Sequence, residues 1–247
     1  MNILQNKPLV IGHRGAAGEA PENTLASFAL AVKQGADAVE LDVHLSADGE
    51  LIVCHDATVN RTTDGAGAIA DLTAAQLRRL DAGRWFDEKY AGEPVPTLEE
   101  VFRETPAGVM INVEIKCPYS SRLQMRLFEL LKLYGRLEGT VVSSFNHKIL
   151  HSLQAAEPVL KVGLLYDANL VHHRRLAESS GMNVYSLHPY HLLIDPEDVA
   201  DATANGLQVY PFTVNDEGQM HRAVMAGMSG IITDYPARLR SLLERMT

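Results

Sequence analysis

Short aliphatic runs alternate with longer helix-forming stretches along the whole chain, and that rhythm limits the fold more than any other feature. The strand-like runs fall at 9–12, 38–43, 51–54, 110–115, 140–144, 161–165, 184–187, 208–213 and 231–233. The third run differs in kind from the rest. Only LSADGE, at 45–50, separates it from the second, too short for a crossover helix and carrying the Asp48-Gly49 turn signal. It is therefore the arm of an antiparallel hairpin. Eight parallel strands with helices between them predict an α/β fold, a closed (β/α)8 TIM barrel. A chain of 247 residues suits that architecture as a single domain over 1–247.

The helix signals fit the same count. Thr97 with Glu100, and Thr73 with Gln76, have capping-box spacing. Asp195-Pro196 opens another helix that Gly206 closes. Asn146, Asn169 and Asp216 are expected to cap three more. The stretch from about 47 to 96 exceeds one βα unit, holding the hairpin, the turn-rich RTTDGAGA and the aromatic segment GRWFDEKYAGEPVP. It reads as a small insertion after the second barrel strand, packed over the mouth where loops after strands build active sites. A lid role is expected for it.

Alternation within the strands carries the chemistry. In Val39-Glu40-Leu41-Asp42-Val43 the carboxylates share one face and the aliphatics the other, and Ile111-Asn112-Val113-Glu114-Ile115-Lys116 repeats the pattern. The aliphatic face packs on the outer helices, so Glu40, Asp42, Glu114 and Lys116 point into the barrel. Three converging carboxylates need a counter-charge, and an all-oxygen set suits a divalent cation, Mg2+ or Ca2+, rather than zinc. The bland alternative is a buried ion-pair network with Arg14 and Lys116.

His13 and Arg14 end the first strand, and His55 ends the hairpin arm. Histidine can serve as acid or base near neutrality, Arg14 can grip phosphate oxygens, and Lys116 adds a point charge. Phosphodiester cleavage needs a base to activate the attacking oxygen and an acid to protonate the leaving alkoxide. His188 and His191, in LHPYH, follow a strand and are read as lining the mouth. The histidines at 147, 151, 172, 173 and 221 fall on helix-like segments and are expected on solvated faces. Gly12, Gly15 and Gly18 are spaced for tight turns, not as a nucleotide loop. Cys54 and Cys117 have the wrong strand parity to join their histidine and lysine neighbours.

The net charge of -9 argues against nucleic acid or an anionic membrane as partner. Two cysteines make no disulfide framework. No apolar run nears the roughly 20 residues that span a bilayer, and MNILQNKPLVIGHRG lacks a leader pattern, so no stable membrane insertion and a cytoplasmic location are expected. Oligomeric state leaves no mark in the sequence.

The order of HRG at 13–15, PENT at 21–24, ELD at 40–42, HD at 55–56, RTT at 61–63, EIK at 114–116, SSF at 143–145, TVN at 213–215 and IITDYP at 231–236 resembles the glycerophosphodiester phosphodiesterase family over nearly the whole chain. The short loops resemble its bacterial cytoplasmic members. The resemblance implies a TIM barrel with an insertion, and a small-molecule phosphodiester hydrolysed to an alcohol and sn-glycerol 3-phosphate. It implies His13 and His55 as the acid/base pair, and Glu40, Asp42 and Glu114 as ligands of Mg2+ or Ca2+. Arg14 and Lys116 would hold phosphate, with His188 and Phe212 among the substrate contacts. Phe212 stands where members often carry tryptophan, which keeps an apolar wall. The runner-up is a lysophospholipase D-type hydrolase on lysolipids, for which Trp85, Phe86 and Tyr90 would supply an apolar rim. An aldolase-like Schiff base at Lys116 is disfavoured by the carboxylates, since that chemistry needs no metal. A silent binding barrel is weakened by the full set of catalytic residue types.

Overall fold

The structure, a computed structural model, describes residues 7–246. The segment 1–6, part of the stretch read as lacking a leader, lies outside the described residues. In chain order the elements are β1 (Leu9–Gly12), α1 (Leu25–Lys33), β2 (Ala38–Leu45), β3 (Leu51–Val53), α2 (Ala74–Leu77) and α3 (Leu98–Glu104). There follow β4 (Met110–Ile115), α4 (Ser121–Leu133), β5 (Thr140–Ser144), α5 (His147–Ala156), β6 (Lys161–Tyr166) and α6 (Arg174–Glu178). The chain ends with β7 (Val184–Pro189), α7 (Pro196–Ala204), β8 (Gln208–Val209), α8 (Glu217–Met225), β9 (Gly230–Thr233) and α9 (Pro236–Arg245).

Eight of these strands pair in the order β8-β7-β6-β5-β4-β2-β1-β9, and every pairing along that path is parallel. The ninth, β3, folds back antiparallel on β2. Between β8 and β9 the gap is bridged by single bonds: Ser229 N donates to Val209 O at 3.1 Å, Ile232 N to Pro211 O at 3.1 Å, and Val214 N to Ile232 O at 2.9 Å. The barrel is thus nearly closed. The run expected over 208–213 is a strand only at its first two residues. Tyr210 N still donates to Leu187 O and Phe212 N to Pro189 O, but Pro211, between them, has no N–H to donate on the β9 side.

The main core lies between the barrel and its helices. It takes Val39, Leu41 and Val43 from β2 and Ile111, Val113 and Ile115 from β4, all buried. Full burial of each such side chain contributes about 1.5–3 kcal/mol. The alternate residues of the same strands are left for the interior, and the register sets Asp42 level with Glu114, and Glu114 level with Ser143.

The insertion has a small core of its own. Ile52 and Cys54 pack there with Val59, Ile69, Leu77 and Val95, while Leu51 and Val53 face the main core. It leans on the loop after β1 and the first turn of α1: Glu93 accepts from Ala26 N at 3.0 Å, and Tyr90 OH donates to Glu19 O at 3.2 Å. Both expected capping boxes, at Thr73 and Thr97, are formed, and Asp216 caps α8. Asn146 is the N-cap residue of α5 without a side-chain bond. Asn169 caps nothing, because α6 starts later, after His173. His173 also departs from the solvated face expected of it. It is buried against Tyr166, whose hydroxyl lies 2.8 Å from His173 Nδ1, and it sits 3.6 Å from Asp198. The other four helix-borne histidines remain exposed or partly so. Among the described residues no helix is long and apolar enough to cross a membrane.

Candidate active site

Strands β2 and β4 bring Glu40, Asp42 and Glu114 together, with one oxygen from each lying within 4.8 Å of the others. All three are buried, and basic groups ring them. Lys116 Nζ lies 2.8 Å from Glu114 and 3.4 Å from Asp42, and Arg14 Nε lies 3.4 Å from Asp42. Glu40 accepts the Arg14 backbone N–H at 3.0 Å. Asn23 brackets Asp42, donating from Nδ2 to the carboxylate at 2.9 Å and accepting its N–H at 3.3 Å.

Charge is unevenly compensated in this cluster. Burial, then the neighbouring charges of Asp42 and Glu114, push the Glu40 carboxyl well above its ordinary range. Glu114 is pushed up to about 7, by burial first and Asp42 second. Asp42 feels the same burial, but Arg14 and Lys116 outweigh it and hold the acid below its ordinary value. The residues present therefore lack positive charge for three ionised carboxylates, and a hard cation fits the oxygen donor set. Arg14 Nε is itself buried without a hydrogen-bond partner, a donor suited to an anionic ligand.

Backbone conformation serves the same spot. Arg14 has φ +50° and Asn23 φ +58°. Holding a non-glycine residue there costs about 1–3 kcal/mol, and such residues gather at functional sites. Gly15, at φ +88°, allows the turn between them, since a Cβ there would stand 2.3 Å from Ser27 Oγ.

The two histidines approach from separate supports. His13 Nδ1 contacts Asp234 at 2.7 Å, and its Nε2 points at Glu40 from 4.0 Å. Asn215 fixes Asp234, donating from Nδ2 at 2.5 Å and accepting the Asp234 N–H at 2.9 Å. His55 Nδ1 contacts Asp56 at 2.8 Å. Arg61 holds Asp56 by two bonds, so Asp56 stays ionised far below the usual range. A carboxylate only accepts, so each Nδ1 carries its proton and each neutral ring keeps Nε2 as a base. Burial lowers the His55 pKa, and the charge of Asp42 and the Asp56 bond offset it only in part. His44 Nε2 lies 3.1 Å from the backbone oxygen of His55.

The structure thus brings together His13, Arg14, Glu40, Asp42, His55, Glu114 and Lys116. His188 it keeps apart. That residue is wholly buried inside the barrel, not at the mouth, because Gly163 on β6 leaves room for the ring. Its Nε2 lies 2.7 Å from Ser186 Oγ, and burial pushes it down to about 3. Phe212 remains at the rim, edge to face with Phe145 at 5.9 Å and Tyr190 at 6.2 Å. Cys54 is buried and pushed up to about 11, so it offers no thiolate. Reasoning from strand alternation missed Glu22, Asn23, Asp56, Arg61, Asn215 and Asp234. All lie in the PENT, HD, RTT, TVN and IITDYP segments, so those short polar motifs were the available signal.

The sequence profile of the glycerophosphoryl diester phosphodiesterase family matches residues 13–238. A glycerophosphodiester phosphodiesterase from Caldanaerobacter subterraneus subsp. tengcongensis is 43% identical over 242 residues, covering 97% of this chain and 99% of its own length. A lysophospholipase D of Homo sapiens is 30% identical over 273 residues, covering 96% and 86%. The solved structure of an Oleispira antarctica phosphodiesterase, in complex with the product sn-glycerol-3-phosphate, is similar with a TM-score of 0.88 at 35% identity, covering 96% of this chain and 97% of that one.

Proposed function

This chain belongs to the glycerophosphoryl diester phosphodiesterase family, and from that premise we propose that it hydrolyses small glycerophosphodiesters to an alcohol and sn-glycerol 3-phosphate. The observation that carries the reading is the meeting of two carboxylate-backed histidines with three buried acids, Arg14 and Lys116 at one end of the barrel.

Arg14 and Lys116 bind the phosphate, Arg14 through its Nε, which has no hydrogen-bond partner, and Lys116 as a point charge. Glu40, Asp42 and Glu114 would hold a divalent cation, Mg2+ or Ca2+, which when bound neutralises charge on the non-bridging phosphate oxygens. His13 and His55 divide the proton work. One accepts the proton of the attacking oxygen at Nε2, and the other, as imidazolium, returns a proton to the departing alkoxide. Asp234 and Asp56 keep each ring in the tautomer this needs. The insertion shields the site as a lid, and replacing 62–94 with a short linker is expected to lower turnover in a protein that still folds. The acidic chain acts on small substrates free in the cytoplasm, without nucleic acid as a partner.

Release of glycerol 3-phosphate from glycerophosphocholine and glycerophosphoethanolamine tests this, with EDTA and with Mg2+ or Ca2+ restored. Metal-dependent release supports the reading. Release that survives thorough EDTA treatment contradicts the cation role, and no release from folded, metal-loaded protein contradicts the substrate.

A second reading, lysophospholipase D-type activity, draws on exposed apolar residues at the barrel mouth. Tyr119, Phe145, Val171 and Leu192 follow four consecutive strands and are 44–87% exposed. Trp85, in the insertion, is also exposed. Faster turnover of micellar lysolipid than of glycerophosphocholine would favour it.

A further inference from the structure

Arg61, in the insertion, touches none of the three clustered acids, yet its guanidinium is the most fully used in the vicinity of the site. Nε and Nη2 donate to the two oxygens of Asp56 at 2.8 and 3.1 Å. Nη1 and Nη2 donate to the two oxygens of Glu22 at 2.8 Å each. Both carboxylates have a second duty. Asp56 holds His55 Nδ1, and Glu22 accepts from Arg14 Nη1 at 2.8 Å. One unbroken path of charge-assisted bonds therefore runs His55–Asp56–Arg61–Glu22–Arg14.

We propose that Arg61 is a positioning residue, which sets the angle of the His55 ring and of the phosphate-binding Arg14 together through Asp56 and Glu22. The proposal rests on the phosphodiesterase reading above. Its physical basis is the fork of the guanidinium. Two bidentate pairs at one centre fix two carboxylate planes, whereas an ammonium would hold each only as a point charge. The need is local. Asp56 lies on a loop and is partly exposed, so without Arg61 its carboxylate has water as a competing partner and no fixed plane. Glu22 without Arg61 keeps Arg14, and Arg14 without Glu22 loses the partner that orients its outer nitrogens.

The test compares Arg61→Lys, Arg61→Ala and Glu22→Gln in metal-loaded protein on glycerophosphocholine, with melting curves for each. Misplaced catalytic groups cost up to about 100-fold, so kcat in both Arg61 variants is expected to fall about 10- to 100-fold, with KM within about threefold. Glu22→Gln is expected to lower kcat and also raise KM, because it releases Arg14. The Arg61 side chain is 45% exposed, so free guanidinium can enter the gap and is expected to restore part of the kcat of Arg61→Ala at unchanged melting temperature. A merely structural role would not respond in that way. Retention of kcat within threefold in Arg61→Lys, or a loss in Arg61→Ala that guanidinium does not touch, overturns the proposal. Should Arg61→Ala fail to fold, the kcat and KM of Arg61→Lys decide alone. Wild-type protein inactive on every glycerophosphodiester would defeat the functional reading, and this proposal with it. An active wild type with indifferent Arg61 variants would defeat only the proposal.

Discussion

The two histidines of the site are built alike at the ring and differently behind it. Each offers Nδ1 to an aspartate at 2.7 or 2.8 Å. Behind His13 stands Asp234, at the end of β9, gripped by the neutral amide of Asn215. Behind His55 stands Asp56, gripped by a guanidinium that is gripped in turn by Glu22. The first arm belongs to the barrel frame. The second is assembled between the loop after β1 and the insertion, out of charged side chains. The difference also gives Asp234 a neutral amide as its side-chain partner besides His13, while the charge of Asp56 is answered directly by the Arg61 guanidinium.

The comparison breaks first at the rings themselves. His13→Ala and His55→Ala are each expected to lower kcat by at least about 100-fold, the scale of lost acid/base assistance. Steady-state turnover on glycerophosphocholine checks this, and near-normal kcat in either would remove that histidine from the mechanism. One step out, Asp234→Asn and Asp56→Asn should each cost about 10- to 100-fold in kcat. The sharper expectation is their response to salt. Asp56→Asn leaves Arg61 facing His55 without its carboxylate, so added salt should partly relieve its loss and leave that of Asp234→Asn unchanged. Equal responses would mean the backing charge does not matter.

His188 calibrates both arms, being a buried histidine with no carboxylate. Its pKa falls to about 3 in the folded protein, below the ordinary 6.5. The unfolded chain therefore takes up the proton first as pH drops, and stability is lost progressively from about pH 6.5 towards 3. Between pH 7 and pH 5 that loss is about 2 kcal/mol. Denaturant unfolding at both pH values should show a loss about 2 kcal/mol smaller in His188→Asn than in the wild type. The smallest effect is expected from Asn215→Ala, which removes neutral hydrogen bonds and should lower kcat about 3- to 10-fold. A larger loss would make the barrel arm as dependent on its backing group as the loop arm.

These arms also mark where the sequence was readable. Glu40, Asp42 and Glu114 announced themselves because two-residue alternation is a local property, visible within a few positions of each strand. The strand order followed from the same signal. Asp234 could not be tied to His13 in that way, being 221 positions distant, nor Arg61 to Glu22 across 39. Such pairs exist only once the barrel has closed. His173 and His188 failed for a related reason. A helical or strand-end position says nothing about whether the neighbouring element buries the ring. In β8 the aliphatic pattern ran on through Pro211, but a proline interrupts the donors of a ladder without changing how the residues read as apolar.

The most direct test of the central claim is a crystal structure with Ca2+ and sn-glycerol 3-phosphate. The cation should rest on Glu40, Asp42 and Glu114, and the phosphate should contact Arg14 and Lys116, with Nε2 of both His13 and His55 turned towards it. A phosphate bound elsewhere, or a cation held without those three carboxylates, would contradict the account.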